Sequence, residues 1–269
     1  MIKIERIEDV RLEPYLTLRA RMKNKNLENL GVISHDDIFV AESEKVVKAL
    51  LQSSLPVVSI LALPHYYDAL NDVIANKRIP SSATYVADEQ IMMDIVGYRM
   101  HQGIMAIGQR PQSSSLQELT GPIVALNGIC NAENVGAIVR CCAAFDIGAL
   151  IVDKACSPPF LRRSIRVSMG TIFSMHVHTT NDLVETLTAL KYDRGYTVLG
   201  AHLHGNVVDI INYRFPEKYV LVLGTEGTGL EERVVNVCDA LVKVPISACV
   251  ESLNVAAATA VILHVASKL

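Results

Sequence analysis

"PIVALNGICNAENVGAIVRCCAAFDIGALIVD", residues 122–153, holds two apolar runs separated by a polar loop and a helix-spaced stretch. PIVALN and ALIVD show no polar alternation, which marks strands covered on both faces. The stretch between them predicts a helix over about 134–146. Two buried strands joined by a helix make a parallel βαβ unit. The pattern continues with YTVLGA (196–201) and YVLVLG (219–224), and helical spacing at about 161–170 and 181–191. An α/β domain with a parallel sheet is expected over 122–269.

Ligands of open parallel sheets sit beyond the carboxyl ends of the strands, and three of those ends are unusual. The first leads to Asn134 and Arg140. Asn134 reads either as a helix cap or as a site residue. The two are six apart, close to two turns, and would share a face if the helix starts at Asn134. Arg140 lies among Ile138, Val139, Cys141 and Cys142, where a guanidinium calls for an acidic partner or an anionic ligand. The second end is LVLGTEGTGL (221–230). Gly224, Gly227 and Gly229 permit tight turns and close approach to a ligand. A phosphate loop would place a lysine beside the last glycine, yet the charged residue here is Glu226. A cofactor held through backbone N–H and C=O groups fits better than a triphosphate. The third end is VPISACVESLNVAAA (244–258), where Ser252 or Asn254 opens an alanine-rich helix.

Upstream, DIFVAES (37–43), PVVSILALP (56–64) and GIMAIGQ (103–109) read as strands. EKVVKALLQS and HYYDALNDVIANK read as helices. RPQSSSLQELTGP (110–122) is polar and bounded by prolines, a linker by composition. The expected division is a domain over 1–110, a linker over 111–121 and the parallel-sheet domain over 122–269. The net charge of −3 excludes a global basic field, so any nucleic-acid contact falls to patches. Arg19, Arg21 and Lys23 form one, and Arg162, Arg163 and Arg166 another, the latter inside the parallel-sheet domain. The six cysteines form no CxxC pair and read as reduced thiols. With no signal-peptide core and no membrane-spanning run, the chain is expected to be cytoplasmic.

NAENVGAIVR, LVLGTEGTGL and VPISACVESLNVAAA, in that order and spacing, resemble the three motifs of the SpoU branch of the SPOUT RNA methyltransferases. LRRSIRVSMGTIFSMHV is similar to the segment linking the first two. The likeness runs from about residue 110 to the end. The preceding part resembles a substrate-binding domain like a small ribosomal protein. The resemblance implies S-adenosylmethionine as cofactor, a ribose 2′-hydroxyl of RNA as acceptor, a homodimer and a C-terminal trefoil knot. Ribosomal RNA is the expected substrate, with transfer RNA as the alternative. Carried over by motif, cofactor contacts fall on Gly224, Gly227, Val244, Ile246 and Leu253, with Ala201 added from the end of YTVLGA. Arg140 takes the central catalytic role. Asn134 and Glu226 orient it and the ribose, and Ser252 and Asn254 shape the pocket. Asp146 stands where the family usually has glycine, which raises the question of how the helix ends.

His176 with His178, and His202 with His204, are spaced as strand neighbours. No third ligand supports a metal, and none is expected. His204 is placed near the cofactor. Two competing readings are a non-catalytic RNA-binding protein on the same fold and a nucleotide-binding oxidoreductase. The motif residues argue against the first, and the absence of GxGxxG after the first strand argues against the second.

Overall fold

The computed structural model describes residues 1–16, 37–97 and 103–267. In chain order the elements are β1 (Ile2–Lys3), α1 (Glu13–Leu16), β2 (Ile38–Glu42), α2 (Glu44–Gln52), β3 (Val57–Ala62), α3 (Pro64–Ala69), α4 (Asn71–Lys77), β4 (Thr84–Val86), α5 (Glu89–Val96) and β5 (Ile104–Gln109). They continue with β6 (Ile123–Leu126), α6 (Ala132–Ala144), β7 (Ala149–Asp153), α7 (Arg162–Val167), β8 (His176–Thr180), α8 (Leu183–Arg194), β9 (Thr197–Ala201), β10 (Val207–Asp209), β11 (Tyr219–Leu223), α9 (Glu232–Val235), β12 (Ala240–Lys243) and α10 (Val255–Ala266).

The chain forms two compact units. One comprises Met1–Gln112 with Phe160–Phe173, and the other Ser113–Pro159 with Ser174–Leu269. The first unit carries a mixed sheet in the order β1-β4-β3-β5-β2, with β2 and β3 antiparallel to β5. Its core gathers Leu12, Tyr15, Val40, Leu61, Met92, Ile95 and Ile107. Val46, Val47, Leu50 and Leu51 are the buried stripe of α2, as the spacing of EKVVKALLQS predicts. HYYDALNDVIANK is two helices, not one, because Leu70 leaves helical geometry at φ −113° and ψ 12°.

The second unit carries a seven-stranded sheet in the order β10-β12-β9-β11-β6-β7-β8. Every pairing in it is parallel. β6, β7 and β11 are buried at every position, which is why their sequences are unbroken apolar runs. Asp146 adopts φ 56° just beyond α6, the left-handed conformation that glycine supplies elsewhere and aspartate tolerates. The helix exit therefore survives the substitution.

The segment holding Arg162, Arg163 and Arg166 departs from its expected place. Although it follows β7 in the chain, it packs with the first unit. There Phe39 stacks on Phe173, ring centroids 5.1 Å apart, and lies 5.4 Å from Phe160. Arg162 is not a free phosphate ligand. Its Nε donates to the Glu42 carboxylate at 2.7 Å and the two form an ion pair, the glutamate being 7% exposed. A buried carboxylate needs such a cation. Arg163 and Arg166 are exposed. The expected patch of Arg19, Arg21 and Lys23 lies outside the described residues.

Candidate active site

Three loops leave the carboxyl ends of β6, β11 and β12. After β11 the chain folds into a tight turn in which Thr225 and Gly229 exchange backbone hydrogen bonds of 3.0 and 3.1 Å. The hydroxyl of Thr225 accepts from the Thr228 N–H at 3.1 Å. A Cβ at Gly224 would meet the carbonyl carbon and oxygen of Gly229 at 2.3 Å. That glycine is required because the loop crosses itself. Gly229 supplies the positive φ, +70°, of the same turn. Gly227 is different, since a Cβ there would meet nothing within 4 Å.

A cleft opens over this turn. Gly224, Glu226 and Gly227 line it from the glycine loop, Val244, Ile246, Ser252 and Leu253 from the loop after β12, and Ala201 from the end of β9. The six residues expected to contact a cofactor therefore share one cavity. His202, His204 and Lys243 also line it, of which the sequence marks only His204. The Lys243 ammonium is 3.6 Å from Asp209, which occupies its charge. Burial, with the nearby His204, pushes the His202 imidazole below its ordinary range, so its neutral form is favoured. What remains is a wall of backbone, aliphatic side chains, the hydroxyls of Thr225, Thr228 and Ser252 and one carboxylate, which suits a ligand with a cationic centre and not a polyphosphate.

Asn254 joins the loops. It caps α10, its Oδ1 accepting from the N–H groups of Ala256 and Ala257 at 3.0 and 3.3 Å. Its Nδ2 donates to Asn134 Oδ1 at 3.0 Å and to the Glu226 carboxylate. One amide thus connects all three motif loops. The cap of α10 is Asn254 and not Ser252, which lies on the cleft wall. The cap of α6 is Asn131, whose side chain accepts from the Glu133 N–H, so Asn134 is free to turn inward.

The expectation that Asn134 and Arg140 share a face is wrong. Six residues span about 1.7 turns, which sends them to different sides. Asn134 is buried, whereas Arg140 is exposed on a stripe with Glu133 and Ala144. Arg140 does not line the cleft. Its apolar neighbours in sequence point elsewhere, so burial does not demand a partner, and among the described residues none is bound to it.

Three further residues carry no mark in the sequence. Asn127, Asp153 and Glu231 form a hydrogen-bonded cluster under the loops. Their separations of 26 and 104 residues leave no local signal. Of the other histidines, His178 Nδ1 donates to the Ser114 carbonyl oxygen at 2.7 Å. Among the described residues no group of three or more His, Cys, Asp or Glu gathers as a metal site, and no helix is long and apolar enough to cross a membrane.

Comparison with known proteins identifies the architecture. Residues 121–264 match the model of the SpoU rRNA Methylase family. The chain belongs to that family. It is an S-adenosylmethionine-dependent RNA 2′-O-ribose methyltransferase. The 23S rRNA (guanosine-2′-O-)-methyltransferase RlmB of Ralstonia nicotianae is 31% identical over 184 residues, 66% of this chain and 73% of that protein. An uncharacterized tRNA/rRNA methyltransferase of Mycobacterium tuberculosis is 29% identical over 233 residues, 84% of this chain and 80% of that protein. Among solved structures, the AdoMet-bound rRNA methyltransferase from Sinorhizobium meliloti superposes with a TM-score of 0.80 at 20% identity, covering 99% of this chain and 97% of that one. The last likeness speaks to the fold alone.

Proposed function

We propose that this SpoU methyltransferase modifies ribosomal RNA, that it works as a cytoplasmic homodimer, and that Arg140 is the residue on which turnover depends. The observation that carries the reading of the site is the Asn134–Asn254–Glu226 link, which joins the three motif loops beside the cofactor cleft. Bound in that cleft, S-adenosylmethionine supplies an electrophilic methyl group on a sulfonium. The chain contributes position and charge. The strand-end loops hold the cofactor, through Gly224, Gly227, Val244, Ile246, Leu253 and Ala201. Glu226 places a carboxylate where positive charge is to be received.

A ribose hydroxyl is a poor nucleophile at neutral pH; its oxygen takes the methyl group, leaving the sulfonium as a neutral thioether, and its proton passes to solvent, so the negative charge developing on that oxygen needs a cation. Arg140 is exposed and lies off the cleft wall, so it meets the ribose from the side on which RNA binds, and it offers a guanidinium, a donor-only group. It acts by electrostatic stabilisation, gripping the RNA backbone, and not as a base. Asn134 and Glu226 orient the reacting groups, and Ser252 and Asn254 shape the wall around them. The family's trefoil threading of the C-terminal segment belongs to the same reading.

Ribosomal RNA is preferred to transfer RNA on two grounds: the family description, and a 31%-identical relative that methylates 23S rRNA by name. The homodimer is supported by the small-residue surface of α10, where Ala257 is exposed and Val261 is 40% exposed.

The deciding experiment maps 2′-O-methyl sites in ribosomal and transfer RNA from cells with and without the protein. One ribosomal site should vanish in its absence. A lost transfer-RNA site with intact ribosomal RNA would favour the alternative. Arg140→Ala should abolish turnover and leave cofactor affinity within about twofold, a difference of roughly 0.4 kcal/mol. Methylation at the normal rate by that variant would refute the role.

A further inference from the structure

We infer that Asn127 is a positioning residue for methyl transfer, holding the glycine loop in register with the loop that carries Asn134. The inference rests on the reading that the cleft takes S-adenosylmethionine. Asn127 follows β6, the strand between β7 and β11, and is 1% exposed. Its side chain touches both neighbours. Nδ2 donates to Asp153 at the end of β7, at 3.0 Å, and to the Glu231 carboxylate just past the glycine loop, at 3.1 Å. Its Oδ1 accepts the Glu231 N–H at 2.9 Å.

An amide is the side chain this position requires. Two carboxylates face it, and a single NH2 group has one hydrogen for each while its oxygen serves the backbone. The carboxylates are committed elsewhere as well. Asp153 also accepts from the Gly128 N–H, which fixes the start of the loop leading to α6, and its other oxygen accepts from the N–H groups of Ala155 and Cys156 just beyond β7. The other oxygen of Glu231 accepts from Arg233 at 2.9 Å. The chain of contacts therefore runs from the exit of the glycine loop, through Asn127, to the entry of the Asn134 loop. Nothing in this cluster reaches the cleft, so Asn127 acts by placing Gly224, Glu226 and Gly227 relative to Asn134.

Aspartate at 127 makes a sharp test. It preserves shape but sets three carboxylates against one another, so one of them takes up a proton at higher pH than usual. Once protonated, that group regains a donor, and the clamp re-forms. Cofactor affinity of Asn127→Asp, measured by calorimetry, should be about tenfold or more below wild type at pH 8. The deficit relative to wild type should narrow at pH 6. A merely structural lesion would leave that ratio independent of pH.

Should Asn127→Asp fail to fold, Glu231 provides a second test, since its side chain is half exposed. Glu231→Ala should weaken cofactor binding about tenfold with little change in melting temperature, and Glu231→Gln, which keeps the acceptor, should restore it. Wild-type affinity in Glu231→Ala, or a pH-independent deficit in Asn127→Asp, overturns the inference while wild-type binding still supports the reading of the cleft. A wild-type chain that binds no S-adenosylmethionine overturns that reading, and the inference falls with it.

Discussion

Two glycines three residues apart in the same loop perform different tasks. At 224 an added methyl would strike the Gly229 backbone at 2.3 Å, whereas at 227 it would meet nothing within 4 Å. Gly224→Ala should therefore lower the free energy of unfolding by about 1–3 kcal/mol in a urea titration. Gly227→Ala should unfold like wild type yet bind the cofactor more weakly, because the methyl takes up free space at the cleft. The cleft also carries a pH-sensitive wall. His202 is held below its ordinary pKa by burial and by His204, and Glu226 and Lys243 face the same space. A base depressed by folding keeps its stability contribution at high pH and loses it as pH falls through the unfolded value, near 6.5. Protonation also adds positive charge beside a sulfonium. Cofactor affinity should be flat above about pH 7 and should fall below about pH 6. In calorimetry His202→Asn should flatten that acid limb. At this scale the sequence exposed the chemistry but not its direction. Asn134 and Arg140 stand out in the sequence, but six residues of helix span about 1.7 turns and not two, so Asn134 turns inward to the Asn254–Glu226 link while Arg140 is exposed.

Helix α10 starts on a residue that also belongs to the site. Asn254 uses its oxygen to cap the helix and its nitrogen to join Asn134 and Glu226. Asn254→Asp separates these duties. The cap acceptor remains, so melting should shift by less than the ~1 kcal/mol typical of a lost cap. The donor is gone, and a new negative charge faces Glu226, so turnover should fall at least tenfold. Equal activity of this variant in a methyl-transfer assay would remove the link from the mechanism. Elements were legible where burial alone decides them. The runs over β6, β7, β9 and β11 are apolar because both faces are covered. β10, three residues long at the sheet edge with an exposed Val208, carries no such mark. Nor does the break between α3 and α4, which depends on the backbone at one leucine.

For the molecule as a whole, a net charge of −3 means that RNA affinity comes from a few local contacts. Binding to single-stranded ribosomal RNA fragments should weaken with salt, at about 0.7 per phosphate contact on a log–log plot. Arg163→Ala and Arg166→Ala should each lower that slope by about one contact or less in fluorescence anisotropy. Prolines and serines mark residues 110–122 as a linker, and the leading stretch of the first unit ends at Gln112. The return of Phe160–Phe173 to the first unit has no such mark, because it is recorded only in long-range packing against Phe39. That return makes the chain a poor candidate for modular exchange. A gene fragment stopping at Gln112 would encode a sheet stripped of its aromatic lid. The complementary fragment would trail an oily strap with no mate. Recombination that swaps the first unit between such enzymes must therefore move two stretches at once, or leave both products prone to clump.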